Sequence, residues 1–169
     1  MSLVIRGFQD SDAPRVRELF IAVNRLLAPP DMREAFERYI ERALREEIER
    51  IAEYYRHGGF WVAIEADALV GTFGLEPAGP RAMELRRMYV APSARRRGVG
   101  RAMLRYAEEE TRRRGCDKLK LSTAQIQKEA IALYKRAGYR LVGEEAQESP
   151  SHKTVGGLAR LQFEKRLMG

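Results

Sequence analysis

Three consecutive arginines followed by two spaced glycines, Arg95-Arg96-Arg97-Gly98-Val99-Gly100, form the segment best suited to binding an anion. Glycine has no side chain, so a bulky anion can approach its backbone closely. Arginine donates forked hydrogen bonds to phosphate oxygens. If a helix begins at these glycines, its unpaired N–H groups and its dipole add to the site. The pattern predicts a phosphate-binding turn, although the same residues could form a merely solvated basic turn.

The distribution of charge points to the same segment. Residues 81–120 contain 13 of the 31 Lys and Arg residues and 5 of the 24 Asp and Glu residues, a local balance of +8. The rest of the chain has a balance of −1, within a net charge of +7. A focused positive region favours an anionic ligand, either nucleic acid or a phosphorylated small molecule. A chain that is merely rich in arginine would spread this charge more evenly.

Several classes of site do not fit the sequence. A Walker loop needs Gly-Lys-Ser/Thr, and a dinucleotide fingerprint needs a third glycine where this chain has Met103. The single cysteine, Cys116, and the two histidines, His57 and His152, predict no internal disulfide and no metal site. No aromatic residues interleave with the arginines and no zinc-finger or helix-turn-helix pattern occurs, which argues against nucleic-acid binding. The lack of a signal peptide or of a long apolar stretch predicts no membrane span and a cytoplasmic protein.

The periodicity of apolar residues predicts a mixed α/β fold, with an antiparallel front half and a βαβ crossover, in one domain covering residues 1–169. The predicted element order is β-α-α-β-β-β-α-β-α-β-β. The second helix should be long, with Asp31 as its N-cap, Glu34 completing a capping box, and a continuous apolar stripe as far as Tyr55. The predicted strands and remaining helices cover residues 3–6, 13–27, 60–65, 69–75, 83–90, 98–114, 118–122, 127–137, 139–143 and 158–163.

The strand predicted at 83–90 leads into the arginine-glycine turn. Simple alternation would place its residues on two faces of the sheet. One face would hold Met83, Leu85, Arg87 and Tyr89. The other face would hold Glu84, Arg86, Met88 and Val90.

The arginine-glycine segment, as Arg-x-x-Gly-x-Gly between a strand and a helix, resembles the cofactor motif of the GNAT acyltransferase superfamily. Residues 85–92, Leu-Arg-Arg-Met-Tyr-Val-Ala-Pro, resemble the strand before that motif. Residues 130–139, from Ala-Ile-Ala-Leu-Tyr to Gly-Tyr, resemble the second motif of the superfamily, and residues 163–167 resemble a common ending. The likeness spans nearly the whole chain.

This resemblance implies direct transfer of an acetyl group from acetyl-CoA to a primary amine, with no metal and no acyl-enzyme. The backbone of residues 95–101 would hold the pyrophosphate, and a splayed strand at 88–90 would pair with the pantetheine arm, with an N–H near Val90 polarising the thioester. Gln127 stands where the family often has Asn. The implied cofactor-binding residues are Met88, Tyr89, Val90, Arg95, Arg96, Arg97, Gly98, Val99, Gly100, Arg101, Gln127 and Tyr134.

Two residues are candidates for proton transfer. Tyr134 matches the family tyrosine near the coenzyme A sulfur and would act as general acid, since a phenol can donate to a leaving thiolate. It could instead be a packing residue beside Leu133. Glu84 matches a strand glutamate that often takes the amine proton, directly or through water. It could instead pair with Arg86 or Arg87, leaving an ordered water as the base.

The resemblance does not identify the amine acceptor. Residues 24–40 and 144–157 should face it, and their mixed charges permit a small amino acid, a polyamine, a protein N-terminus or a lysine. An excess of arginine in the first helices favours an amine that carries a carboxylate. A homodimer is left open, as are a GNAT-like module that senses acyl-CoA without turnover and a nucleic-acid-binding protein. The charged residues concerned are Arg25, Arg33, Glu34, Glu37, Arg38, Glu144, Glu145, Glu148 and His152.

Overall fold

The computed structural model describes residues 2–145 and 149–167. Within these residues, seven strands form one sheet in the order β1-β2-β3-β4-β5-β7-β6. The strands are β1 Leu3–Gly7, β2 Gly59–Glu65, β3 Ala68–Pro77, β4 Ala82–Val90, β5 Lys118–Ala124, β6 Arg140–Glu145 and β7 Arg160–Arg166. The helices are α1 Ala13–Leu27, α2 Arg33–Glu46, α3 Ile51–Tyr54, α4 Val99–Arg113 and α5 Lys128–Arg136.

The pairing of these strands confirms the predicted mixed α/β fold. Strands β1 to β4 pair antiparallel in sequence order. Strands β4 and β5 are parallel and are joined through α4, which is the predicted βαβ crossover. The last two strands, β6 and β7, then pair antiparallel with each other, and β7 lies against β5.

Apolar clusters cover both faces of the sheet, and β2 shows the division clearly. Trp61 and Ala63 belong to a cluster with residues of α4, whereas Phe60 and Val62 belong to a cluster with residues of α1 and α2. Side chains of a strand alternate between faces, so α4 and the α1–α2 pair lie on opposite sides. The sheet is therefore enclosed between two helical layers around β2 to β4.

The prediction of one long helix from Asp31 to Tyr55 was wrong. The helix α2 ends at Glu46, and Glu47 has φ −137° and ψ −60°, outside the helical region. A short 3₁₀ turn and α3 follow. Met32, rather than Asp31, precedes the helix, without a side-chain capping bond. The apolar stripe continues through the break, but the carboxylate of Glu47 is fully buried and bonded to arginines of β4, which periodicity does not reveal.

The predicted alternation along β4 was also wrong beyond Arg86. Thr72 of β3 lies opposite Tyr89, but Gly74 lies opposite Arg86, so β4 contains one extra residue. Arg87 occupies the left-handed region with φ 53°, as expected at a β-bulge. Because of the bulge, Arg86 and Arg87 both reach the carboxylate of Glu47, on the face of α1 and α2. Met88 then lies on the face of α4.

Candidate active site

An opening in the sheet between β4 and β5 is the central feature of the site. The two strands pair only where residues 82–84 face residues 118–120. Beyond Glu84 they separate, while β5 remains paired with β7 along its whole length. Tyr89 and Val90 therefore pair with β3, and residues 88–90 have no partner in β5. Two adjoining cavities occupy this opening.

The larger cavity, of about 620 Å³, lies between the end of β4, the start of α4 and the helix α5. We call it the donor cavity. Its lining includes ten of the twelve predicted cofactor-binding residues together with ten other residues. The ten predicted residues are Met88, Tyr89, Val90, Arg95, Arg96, Gly98, Val99, Gly100, Arg101 and Gln127. Arg97 and Tyr134 are the two predicted residues that do not line this cavity.

The turn that enters α4 gives the donor cavity its shape. Gly98 is the N-cap of the helix and has φ 82°, a left-handed conformation that glycine adopts without strain. A Cβ atom on Gly100 would lie 3.1 Å from Cδ2 of Leu133, so this glycine lets α4 and α5 approach each other closely. The first-turn N–H groups of α4 thus lie beside the cavity with their helix dipole. This is a suitable place for a diphosphate.

The cationic side chains around the turn take different directions. The guanidinium of Arg97 lies 2.6 Å from Glu65 of β2, and Arg97 does not line the cavity. Arg95 lines the cavity and also lies 3.6 Å from Glu129. Arg96 and Arg101 line it and form no ion pair with any residue in the described part of the chain. The structure therefore brings three of the four predicted arginine side chains to the cavity.

Two further cations line the donor cavity that the motif comparison missed, Lys128 and Arg136 of α5. Arg136 lies within the segment that resembles the second family motif, and Lys128 lies just before it. The two cations are eight residues apart on one helix, which is close to two helical turns, so the sequence could have indicated that they share a face. The lining combines these cations with the backbone of the turn, which suits an anion with several charges.

Gln127 lies at the start of α5 and lines both cavities. Its side-chain oxygen accepts hydrogen bonds from Thr123 Oγ1 at 2.5 Å and from the backbone N–H of Ala124 at 3.2 Å. The amide oxygen thus secures the end of β5 to the first residue before α5. The amide nitrogen retains its two donors for a ligand.

The smaller cavity, of about 290 Å³, lies on the face of α1 and α2. We call it the acceptor cavity. It is lined by Glu84 and Tyr134, the two residues predicted to move protons. Its lining shares five residues with that of the donor cavity, namely Leu27, Met88, Tyr89, Ile126 and Gln127. The two cavities therefore meet at the point where β4 leaves β5.

Tyr134 is buried, with 5% of its surface exposed, and its ring lies 6.0 Å from that of Tyr139 and 6.2 Å from that of Phe163. Burial raises the pKa of Tyr134 well above its usual value, so the phenol stays protonated at neutral pH. Its hydroxyl bonds to no described residue. Among the described residues, every side-chain oxygen that is fully buried has a hydrogen-bond partner, so this unbonded hydroxyl is not fully buried. The hydroxyl is therefore accessible from the cavity.

Glu84 lies on β4 one residue before the strands separate. The alternative in which it pairs with Arg86 or Arg87 is not found, because those arginines bind Glu47 and Glu76. Within residues 2–145 and 149–167, Glu84 forms no hydrogen bond or ion pair through its side chain. Its carboxylate is thus available to a molecule in the acceptor cavity.

A buried charge cluster forms the back of the acceptor cavity, and the sequence analysis missed it. Glu47 accepts hydrogen bonds from Arg87 Nε at 2.9 Å, Arg87 Nη2 at 2.8 Å and Arg86 Nη2 at 3.1 Å. The hydroxyl of Tyr55 donates to it at 2.6 Å. Burial alone would raise the pKa of Glu47, but the two arginines lower it to about 2. The only signal in the sequence was a glutamate within the apolar stripe of the predicted second helix.

The regions predicted to face the acceptor contribute differently from what was expected. Asn24, Phe36 and Tyr39 line the acceptor cavity from the first region, and Lys153 and Glu145 do so from the second. The charged helix residues do not line it; Arg25 instead pairs with Glu37 on the surface at 2.9 Å. His152 binds the hydroxyl of Tyr54 at 3.0 Å. Glu148 lies outside the described residues.

Within 2–145 and 149–167 there is no group of three or more His, Cys, Asp or Glu side chains arranged to hold a metal ion. None of the helices in the same ranges is both long and apolar enough to cross a membrane.

Comparison with solved structures identifies the same fold elsewhere. The chain is similar to the PaiA N-acetyltransferase of Thermoplasma acidophilum in complex with coenzyme A, with a TM-score of 0.74 and 20% identity over 98% of this chain and 99% of that one. It is also similar to the ribosomal-protein-S18-alanine N-acetyltransferase of Escherichia coli, with a TM-score of 0.68 and 18% identity over 99% of this chain and 96% of that one. At these identities the likeness concerns the fold.

Comparison of sequences identifies the family. The chain is 35% identical to a probable N-acetyltransferase 14 of Xenopus tropicalis over 101 residues, which cover 57% of this chain and 49% of that protein. The chain thus spans about half the length of the curated relatives it matches. Residues 20–139 match the acetyltransferase (GNAT) family. This stretch includes β4, β5 and the five residues that the two cavities share. The chain therefore belongs to the acetyltransferase (GNAT) family.

Proposed function

We propose that this protein is an N-acetyltransferase that moves an acetyl group from acetyl-CoA to a primary amine while both are bound. The observation that carries this proposal is the meeting of the two cavities at Met88 and Tyr89, with Glu84 and Tyr134 lining the smaller one. A donor and an acceptor held on either side of this point can react directly. The reaction therefore needs no acyl-enzyme.

The donor cavity fits coenzyme A in its chemistry. A left-handed glycine at position 98, a close helix approach at position 100 and the cations of Arg96 and Arg101 suit a diphosphate. The open backbone of residues 88–90 suits the amide groups of pantetheine, which can pair with a strand edge. The similar Thermoplasma acidophilum protein was solved in complex with coenzyme A.

The acceptor cavity supplies groups for both proton transfers. Acetyl-CoA would supply an activated acetyl group as a thioester. Glu84 would take a proton from the amine, directly or through a water, as the nitrogen forms its bond to the acetyl carbon. Tyr134 would donate its hydroxyl proton to the sulfur as the carbon–sulfur bond breaks, and a backbone N–H near Val90 would polarise the carbonyl. The products are the acetylated amine and free coenzyme A.

The proposal is tested by measuring release of free coenzyme A from acetyl-CoA in the presence of a panel of amines. The panel contains amino acids, polyamines, a peptide with a free N-terminus and a peptide with a lysine. Release that depends on one class of amine supports the proposal, provided that the acetylated amine appears in equal amount by mass spectrometry. Tight binding of acetyl-CoA with no amine-dependent release would instead support a module that senses acyl-CoA.

A further inference from the structure

Arg160 begins β7 and faces the acceptor cavity. Arg160 and Gln162 line that cavity, whereas Leu161 and Phe163 pack in the apolar cluster with α4. Nη2 of Arg160 donates a hydrogen bond to Ser122 Oγ of β5 at 3.1 Å. The side chain is half-buried. One hydrogen bond to a hydroxyl leaves most of the guanidinium's five donors available.

Arg160 has no ion-pair partner among the described residues. Four cations line the acceptor cavity, Arg86, Arg87, Lys153 and Arg160. The first two are neutralised by Glu47 and Glu76. Arg160 and Lys153 form no ion pair with any residue of the described ranges. Glu145, across from Arg160 in the sheet, bonds instead to Gln162.

This position is electrostatically unfavourable for an arginine in the absence of an anion. Burial, together with the charges of Arg87 and Arg86, lowers the pKa of Arg160. A partly buried cation without a counterion costs free energy that an anionic ligand would recover. Ionisable groups whose pKa is shifted by burial and by neighbouring charges cluster at functional sites.

Resting on the proposed function, we infer that Arg160, with Lys153, binds the carboxylate of a small amino-acid acceptor whose amine lies toward Glu84. The guanidinium fork matches a carboxylate. The two free cations are matched by Glu84 and Glu145 in the same lining, a charge set that suits a zwitterion better than a dianion or a polyamine. At about 290 Å³ the cavity is at the lower end of the usual range for ligand sites, which favours a small acceptor.

The test compares acceptors that differ only at the carboxylate. Each L-amino acid is assayed beside its carboxamide, and both kcat and KM for acetylation are measured. We expect the best amino acid to exceed its carboxamide in kcat/KM by about 10- to 100-fold, because a charge-assisted pair is lost. Equal rates, or a preference for peptides or polyamines, would overturn the inference and leave the proposed function intact.

Variants assign this preference to the residues named. In Arg160→Gln the preference should disappear through a raised KM for the amino acid, with kcat/KM for the carboxamide and the affinity for acetyl-CoA changing less than about twofold. Arg160→Lys should restore part of the preference, and Lys153→Gln, at an exposed position, should weaken it. Arg140→Gln is the matched control, since this exposed arginine of β6 pairs only loosely with Glu164 at 3.4 Å. A preference that survives Arg160→Gln contradicts the assignment.

A binding experiment separates the failure of this inference from failure of the proposed function. Calorimetry with coenzyme A present compares N-acetyl-L-amino acids with their carboxamides, using the amino acids of the same panel. This measurement requires no turnover. Tighter binding of the carboxylate form to the wild type but not to Arg160→Gln supports the carboxylate site even if no amine is acetylated. No difference between the two forms contradicts it.

Discussion

Glu47 and Arg87 face each other with two parallel hydrogen bonds, from Nε at 2.9 Å and from Nη2 at 2.8 Å. Glu47 lies at the break after α2, and Arg87 is the residue of the β4 bulge with φ 53°. The pair therefore joins two irregular points of the fold. It also fixes the end of β4 next to Glu84 and Tyr89, so the acceptor cavity depends on it.

Replacing Glu47 with Gln should destabilise the protein strongly. The substitution leaves Arg87 buried without its counterion, and breaking a buried pair by removing one partner costs about 3–5 kcal/mol. Denaturant unfolding measures the change. The matched control is Glu49→Gln, because Glu49 is half exposed and pairs on the surface with Arg17 at 3.2 Å, a contact worth about 0–1 kcal/mol. Equal losses in the two variants would contradict a structural role for Glu47.

The same pair predicts how stability depends on acid. The pKa of Glu47 is about 2 in the folded protein against an ordinary value of 4.5. Because folding lowers this pKa, the stabilisation is present above pH 4.5 and is lost as the pH falls toward 2, by about 3 kcal/mol. Unfolding measured across this range should show the loss in the wild type and a flatter profile in Glu47→Gln. Parallel profiles would count against the predicted titration.

Introducing a carboxylate at the turn should prevent binding of acetyl-CoA. Gly98→Asp places a negative charge beside the donor cavity and a side chain at φ 82°. We expect the affinity, measured by calorimetry, to fall at least 100-fold. Gly79→Asp is the control, since Gly79 has φ 104° with nothing within 4 Å of its Cβ position and lies in the β3–β4 connection. Unchanged affinity in Gly98→Asp would remove the turn from the donor site.

Replacing Tyr134 with Phe should lower kcat more than the affinity for acetyl-CoA. The substitution removes a hydroxyl that bonds to no described residue and keeps the ring packed against Tyr139 and Phe163. Loss of general acid assistance typically costs about 10²–10⁴ in rate. Steady-state kinetics with calorimetry separates the two quantities. The same kcat, under conditions where chemistry limits turnover, would show that Tyr134 is only a packing residue.

Replacing Glu84 with Gln should lower kcat by removing the proposed base while preserving the shape of the side chain. The expected loss is about 10²–10⁴ if Glu84 accepts the proton itself or orders the water that does so. Glu109→Gln, at an exposed position on α4, removes an equal charge away from both cavities. A pH–rate profile in which Glu84→Gln keeps the wild-type acid limb would point to another base.

Features determined by local chemistry could be predicted from the sequence. Gly98 is the residue that precedes α4, where the arginine-glycine pattern predicted a turn between a strand and a helix. Glu47 and Arg87 could not be predicted in the same way, because their pairing spans 40 residues and depends on a bulge that no local pattern marked. Arg97 was expected near the cofactor, but its guanidinium binds Glu65, since three adjacent side chains on a turn cannot all point in one direction.

The two cavities that meet at the opening between β4 and β5 are built largely from different parts of the chain. Apart from the five shared residues, the donor cavity is built mainly from the end of β4, the start of α4 and α5. The acceptor cavity is assembled from α1, α2, β4 to β7, the residues around Lys153, and Tyr134 of α5. Substitutions at well-separated sites have nearly independent effects. Under the proposed function, substitutions in α2 or β7 would therefore change which amine is bound and leave binding of the acyl donor unchanged.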